Sequence, residues 1–113
     1  MNRKEALIEL LAKVEAGDHR FGMFHPALGS KINPYAPEYA RQAYLGSLDA
    51  AKSLHEALLP GWDRQIGTCE DDTYEASVAR PLNCKTYDGE SHCMARAWLI
   101  AILKALIEMK NLK

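Results

Sequence analysis

Tyr44-Leu-Gly-Ser-Leu-Asp-Ala-Ala-Lys-Ser-Leu-His-Glu-Ala-Leu-Leu-Pro-Gly-Trp62 is the stretch whose reading decides the fold. Ser47 is a good N-cap, and Asp49 stands in the first turn, where negative charge complements the helix dipole. Leu48, Ala51, Leu54 and Leu58 then supply an apolar stripe at helical spacing. Pro60-Gly61 ends the helix and hands the chain to a strand that begins at Trp62. The second decisive run is Ala95-Arg-Ala-Trp-Leu-Ile-Ala-Ile-Leu-Lys-Ala-Leu106. It predicts a helix from about Ser91, as N-cap, to about Asn111. Its apolar residues cover most of the circumference, so it must be buried on more than one side or shared with a second copy.

Between these helices the pattern changes to that of a hairpin. Trp62 to Cys69 reads as a strand with Trp62 and Ile66 on one face. Glu70-Asp-Asp-Thr73 reads as a turn, and Tyr74, Ala76 and Val78 alternate with Glu75, Ser77 and Ala79 as in a half-buried antiparallel strand. Leu82 to Tyr87 reads as a third, edge-type strand, with Asp88-Gly89 turning the chain again. Upstream, an amphipathic helix is expected from about Arg3 to about Ala16. Ala6, Leu7, Leu10, Leu11 and Val14 form its buried face, Asn2 and Glu5 stand at capping-box spacing, and Gly17 is its stop. A short helix is expected from Pro37 to Ala43. The fold class that follows is α+β, a small layered α/β sandwich in the order α-α-β-β-(β)-α. Its antiparallel sheet of two to three strands is packed by helices. The 113 residues are read as a single domain, 1–113.

Composition narrows the function classes. Hydrophobic residues make up 48% and charged residues 26%, which is the globular range. A formal charge of -1 gives no global attraction to nucleic acid or anionic membrane. The N-terminus has no signal-peptide pattern, and the longest apolar run, Ala97 to Leu103, is too short to span a bilayer. Cys69, Cys84 and Cys93 are odd in number and irregularly spaced, which argues for reduced thiols. A soluble, cytoplasmic protein is the expectation, with no membrane partner.

The quoted motifs carry a resemblance. Tyr44-x-x-Ser47-x-Asp49-Ala-Ala, the helix ending in Leu59-Pro-Gly-Trp62, Ala76-Ser-Val78 and the alanine- and leucine-rich run 95–106 resemble the phage ABA sandwich domain, a family of small proteins encoded by phages and prophages. The opening Glu5-Ala-Leu-Ile-Glu-Leu-Leu-Ala-Lys-Val-Glu-Ala-Gly17 is similar to the family's first helix. The similarity is weakest from Arg20 to Arg41. It implies a layered α/β fold and a phage or prophage origin. It implies no established catalytic residues, so none are transferred.

The chemistry-bearing residues favour binding over catalysis. Cys84, His92 and Cys93 lie close in sequence, with Cys69 on the preceding strand, but no paired C-x-x-C ligands exist. Buried or neutral thiols are preferred to a metal site, and no metal or cofactor is expected. Cys93 near a helix N-terminus could be a reactive thiol with His92, but no third orienting group is identifiable. His19 and His25 flank Phe21 to Phe24 and read as polar loop residues beside packed rings. His55 reads as a hydrogen-bonded packing residue. The helical order is similar to the double-stranded RNA-binding fold, yet the last helix opens with Arg96 as its sole permanent cation. Nucleic acid is therefore disfavoured as a partner.

The irregular segment Asp18 to Tyr44 is broken by Pro26, Gly29, Pro34 and Pro37 and holds five of the nine aromatic residues. Phe21, Phe24, His25, Tyr35, Tyr39 and Tyr44 are its candidate binding residues, because rings offer large contact area on few rotors. The expected function is that of a non-enzymatic accessory protein that binds a protein or small molecule of the host or phage. The apolar C-terminal helix is a candidate contact between copies. The rival readings are a nucleic-acid-binding regulator and a small metal-dependent enzyme.

Overall fold

The chain was analysed as a computed structural model, which describes residues 3–16, 36–68, 72–79 and 85–109. The elements are α1 (Arg3–Ala16), α2 (Ala36–Tyr44), α3 (Leu48–Leu58), β1 (Asp63–Thr68), β2 (Tyr74–Ala79), β3 (Thr86–Ser91) and α4 (Met94–Met109). This is an α+β fold with a three-stranded antiparallel sheet in the order β1-β2-β3. Among the described residues, no helix is long and apolar enough to cross a membrane.

Local chemistry explains the helix ends. α1 closes on the side of Leu7, Leu10 and Val14, all buried, with Leu11 packed beside them. α2 spans the expected short helix and carries a Glu38–Arg41 ion pair one turn apart at 2.6 Å. Gly46, at φ +111°, makes the left-handed turn that separates α2 from α3. Ser47 caps α3 by accepting a hydrogen bond from the Ala50 amide at 3.1 Å. α3 stops at Leu58, and Gly61, at φ +82°, turns the chain into β1.

The sheet register sorts residues onto two faces. Arg64, Ile66 and Thr68 of β1 share a face with Tyr74, Ala76 and Val78 of β2 and with Tyr87, Gly89 and Ser91 of β3. Ala76 and Val78 on that face are wholly buried beneath α4. The opposite face is polar. There Ser77 donates to Asp88 at 2.6 Å, and Glu75 stands directly opposite Glu90.

α4 is the central element. It touches β2 and β3 on one side and α1, α2 and α3 on others. Ala95, every residue from Ala97 to Leu103, Ala105 and Leu106 are buried. The apolar circumference that suggested a contact between copies is thus covered within one chain. The first helical hydrogen bond runs from the Ala97 amide to the Cys93 carbonyl. The helix therefore starts about three residues later than expected. Ser91 is not its N-cap; it ends β3, and its hydroxyl accepts from the Cys93 amide at 3.2 Å.

Asp88-Gly89 is likewise not a turn. Both residues lie within β3, which runs over Thr86–Ser91; residues 82–84 of the expected strand lie outside the described residues. The reason is steric. A Cβ on Gly89 would lie 2.7 Å from the Ala101 nitrogen, 2.8 Å from Ile100 Cβ and closer still to the Ala97 carbonyl oxygen. Glycine is present because helix backbone passes directly over the strand, not because the chain bends.

His55 joins helix, connection and core. It is 2% exposed on α3. Its Nε2 lies 3.0 Å from the Trp62 carbonyl, and its Nδ1 accepts from the Trp98 indole N–H at 3.3 Å. A carbonyl only accepts and an indole N–H only donates, so the ring is neutral with its proton on Nε2. The expected packing role of His55 is the one found. The guanidinium of Arg64, from β1, stands 5.3 Å from the centre of the Trp98 ring.

Two predictions follow from this packing. Gly89→Ala should lower unfolding free energy by about 3 kcal/mol, the upper end of overpacking costs, because the obstruction is backbone. Gly67→Ala, where a Cβ meets nothing within 4 Å, should change it by less than about 0.5 kcal/mol. Urea denaturation of both variants checks the pair. The second concerns acid. The His55 pKa is lowered from 6.5, chiefly by burial; the Trp62 carbonyl opposes this shift, Arg64 adds to it and Glu56 opposes it. The unfolded chain therefore takes up the proton first. Stability from neutral His55 is complete above about pH 6.5 and declines as pH falls below it toward the depressed folded value. Unfolding free energies from pH 8 to pH 5 should show this loss, and His55→Gln should flatten it.

Candidate functional site

The seam where the last turn of α1 meets the start of α4 is not closed by apolar packing. A cleft of about 300 Å³ opens there. Val14, Glu15 and Ala16 come from α1, and Thr73 from the residue before β2. Glu90 and Ser91 come from the end of β3, His92 from the connection, and Arg96 and Ile100 from α4. Buried Val14 and Ile100 make its apolar part. Its other walls are polar and partly open, with Glu15, Glu90 and His92 exposed.

Arg96 is the best-fixed polar group in the cleft. Its guanidinium lies 4.1 Å from the centre of the Tyr44 ring. Its Nε and Nη2 both donate to the Tyr44 carbonyl, at 3.3 and 3.0 Å. That carbonyl belongs to the end of α2, where helical C=O groups lack intrahelical donors. Arg96 thus caps one helix from the first turn of another. Among the described residues it forms no ion pair, although Glu15 and Glu90 line the same cleft.

The two helix ends polarise the cleft. α4 presents its N-terminal end, with partial positive charge, and α1 its C-terminal end, with partial negative charge. Glu15 adds charge to the negative end, and Arg96 to the positive one. The cleft is therefore bipolar, with donors and acceptors on different elements.

The aromatic candidates fall elsewhere. Tyr44 is wholly buried beneath Arg96 and belongs to the core. Tyr39 is half-buried and packs against that core. Both are helical, on α2, rather than part of an exposed loop. Phe21, Phe24, His25 and Tyr35 lie outside the described residues, as do His19, Cys69 and Cys84. Cys93 is half-buried with a free thiol and lies 3.9 Å from where a Cβ on Gly46 would stand. Among the described residues, no three His, Cys, Asp or Glu side chains are placed to hold a metal ion.

Sequence reading singled out neither Glu15 nor Glu90. It noted Arg96 only as a lone cation. One signal was available: Arg96 is a permanent charge in a mostly apolar helix, and no acidic residue stands within a helical turn of it. Comparison of the chain with known protein families, curated proteins and solved structures finds no match.

Arg96→Met should destabilise the fold by about 1–3 kcal/mol, through loss of the ring contact and of charge-assisted bonds to the Tyr44 carbonyl. Arg96→Lys should recover part of that. Denaturant unfolding of the two variants checks the order.

Proposed function

We propose that this chain is a small phage- or prophage-encoded accessory protein that acts in the host cytoplasm by binding rather than by catalysis. The cleft between α1, β3 and α4 is the contact site of this reading. One observation carries it. The cleft is lined by a positioned cation, Arg96, which forms no ion pair among the described residues. The phage or prophage origin is supported by the resemblance in capping and helix pattern set out above. The binding reading is supported by the size of the cleft, which lies at the low end of the range for small-molecule sites, about 300–1,000 Å³.

The chemistry of the histidine and cysteine side chains favours contact over turnover. His55 has both ring nitrogens committed to structural bonds, which removes it as a proton shuttle. Among the described residues, His92, which lines the cleft, and Cys93, which does not, have no third group that orients them as a nucleophile–base pair.

An amide-resolved NMR screen of the full chain against a small-molecule library tests the proposal. The expected outcome is saturable shifts clustered at Ala16, Thr73, Ser91 and His92, with every ligand recovered unchanged. Conversion of a ligand in the same tubes would replace binding with catalysis. Silence of these amides across the library would remove the cleft as the site.

A further inference from the structure

The two partners of the His55 ring leave no place for a second proton. Nε2–H donates to the Trp62 carbonyl at 3.0 Å, and Nδ1 accepts from the Trp98 indole N–H at 3.3 Å. An indole N–H never accepts, so a proton on Nδ1 sets donor against donor and the Trp98 bond must break. A carbonyl or a water at Nδ1 would tolerate the charged ring; an indole does not. We propose that His55 is an acid-sensitive latch: a proton on Nδ1 releases the junction of α3 and β1 from α4 while α4 and the rest of the sheet stay packed. The latch stands apart from the cleft and does not depend on the binding reading above.

The junction is placed to open first. Pro60 and Gly61 are exposed, and Gly61 holds φ +82°. β1 is an edge strand that pairs with β2 alone among the described residues, and all of it except Ile66 is exposed. Trp62 is half-buried, with its ring 6.1 Å from that of Tyr87. Leu59, wholly buried, and the His55 bridge tie this segment to the core. Segments with few buried apolar contacts open locally at less than the cost of global unfolding. α4, by contrast, is buried from Ala97 to Leu103, and Ala76 and Val78 hold β2 beneath it.

Charge sets the direction in which the ring leaves. Arg64 of β1 and Glu56 of α3 itself are the charged groups that act on it. The Trp98 ring lies 5.8 Å from the His55 ring and 5.3 Å from the Arg64 guanidinium carbon, so an imidazolium left in place shares one indole with a second cation. Glu56 is exposed and draws the charge outward. α2 and α4 also pack against α3, but among the described residues neither adds a charge that acts on the ring. Their charged side chains are engaged elsewhere, Glu38 with Arg41, Arg96 with the Tyr44 carbonyl and Glu108 with Lys85, and Lys104 lies nearly two turns beyond Trp98.

The proton thus distinguishes two arrangements, a closed one that requires a neutral ring and a released one that accepts either form. In the closed form burial lowers the His55 pKa from 6.5, Arg64 adds to the shift, and the Trp62 carbonyl and Glu56 oppose it. The released form therefore takes up the proton first. Its population grows as pH falls below about 6.5, by up to about tenfold per pH unit, until the depressed closed-state value is passed.

Hydrogen exchange by NMR on the full chain from pH 7.5 to pH 5, corrected for intrinsic rates, tests the latch. Trp62→Phe identifies which indole signal is Trp98. That indole should exchange faster below about pH 6.5, by up to about tenfold per pH unit. The Leu59 and Trp62 amides, which donate to the His55 and Leu59 carbonyls, should follow it, while the amides of Leu99, Ile102 and Leu103 keep their protection. His55→Gln, whose amide can take both bonds without titrating, should abolish the pH dependence. Glu56→Gln should move the onset to lower pH and Arg64→Met to higher pH. Both alter exposed side chains, and a general loss of structure does not shift the onset in opposite directions. Exchange at the Trp98 indole that ignores pH overturns the proposal, as does a rise at Leu99, Ile102 and Leu103 in step with it. An onset that neither charge variant moves overturns it as well.

Discussion

A helix that is apolar on nearly every side has to be enclosed, and the rest of this structure is arranged around that requirement. α4 carries buried side chains at Ala95, from Ala97 to Leu103, at Ala105 and at Leu106. A fully buried leucine or isoleucine contributes about 1.5–3 kcal/mol, so no face of α4 can be left in water without a large loss. The sheet covers one side, and α1, α2 and α3 cover others. The small residues Ala95, Ala97, Ala101 and Ala105 let neighbours approach closely, and Gly89 takes this furthest, where strand and helix backbones nearly touch.

Enclosure brings polar groups inside, and they are handled by mutual satisfaction. Trp98 lies on α4 and its indole N–H needs an acceptor once buried. His55 supplies it, and the Trp62 carbonyl takes the proton on the other side of the imidazole. A single neutral ring thereby fixes α3, the entry to β1 and the second turn of α4 relative to one another. The same logic operates two residues earlier in α4, where Arg96 satisfies the Tyr44 carbonyl at the end of α2. There the packing stops short of closure, and the unfilled space beside α1 is the cleft. The cleft thus lies where the first turn of the central helix carries a charged residue, Arg96, ahead of the buried run 97–103.

Much of this was legible in the residues and some was not. The span of α1, the Ser47 cap, the stop before Pro60-Gly61 and the inward alternation of Ala76 and Val78 are each settled by neighbours a few positions away. The expected packing role of His55 was readable from its place on the apolar side of a helix, but its two partners were not. Asp88-Gly89 carried the ordinary signal of a turn and lies in a strand, because helix backbone that follows it in the chain excludes any side chain. Ser91 carried the signal of a helix cap and serves instead to hold the Cys93 amide at the end of β3. Tyr44, grouped by sequence with the aromatic contact residues, is core.

By itself the sequence determined the helices, the first two strands and the buried side of most of them, because caps, breakers and periodicity act over one or two turns of chain; Leu48, at helical spacing with the buried stripe of α3, is exposed. Only the tertiary structure decided which polar groups meet. Trp98 finds His55 across 43 positions, and Arg96 finds Tyr44 across 52. Glu15, Glu90 and Arg96 border one cleft from three different elements. Such encounters depend on how the layers stack, which is set by the summed burial around α4, and no local pattern records that sum.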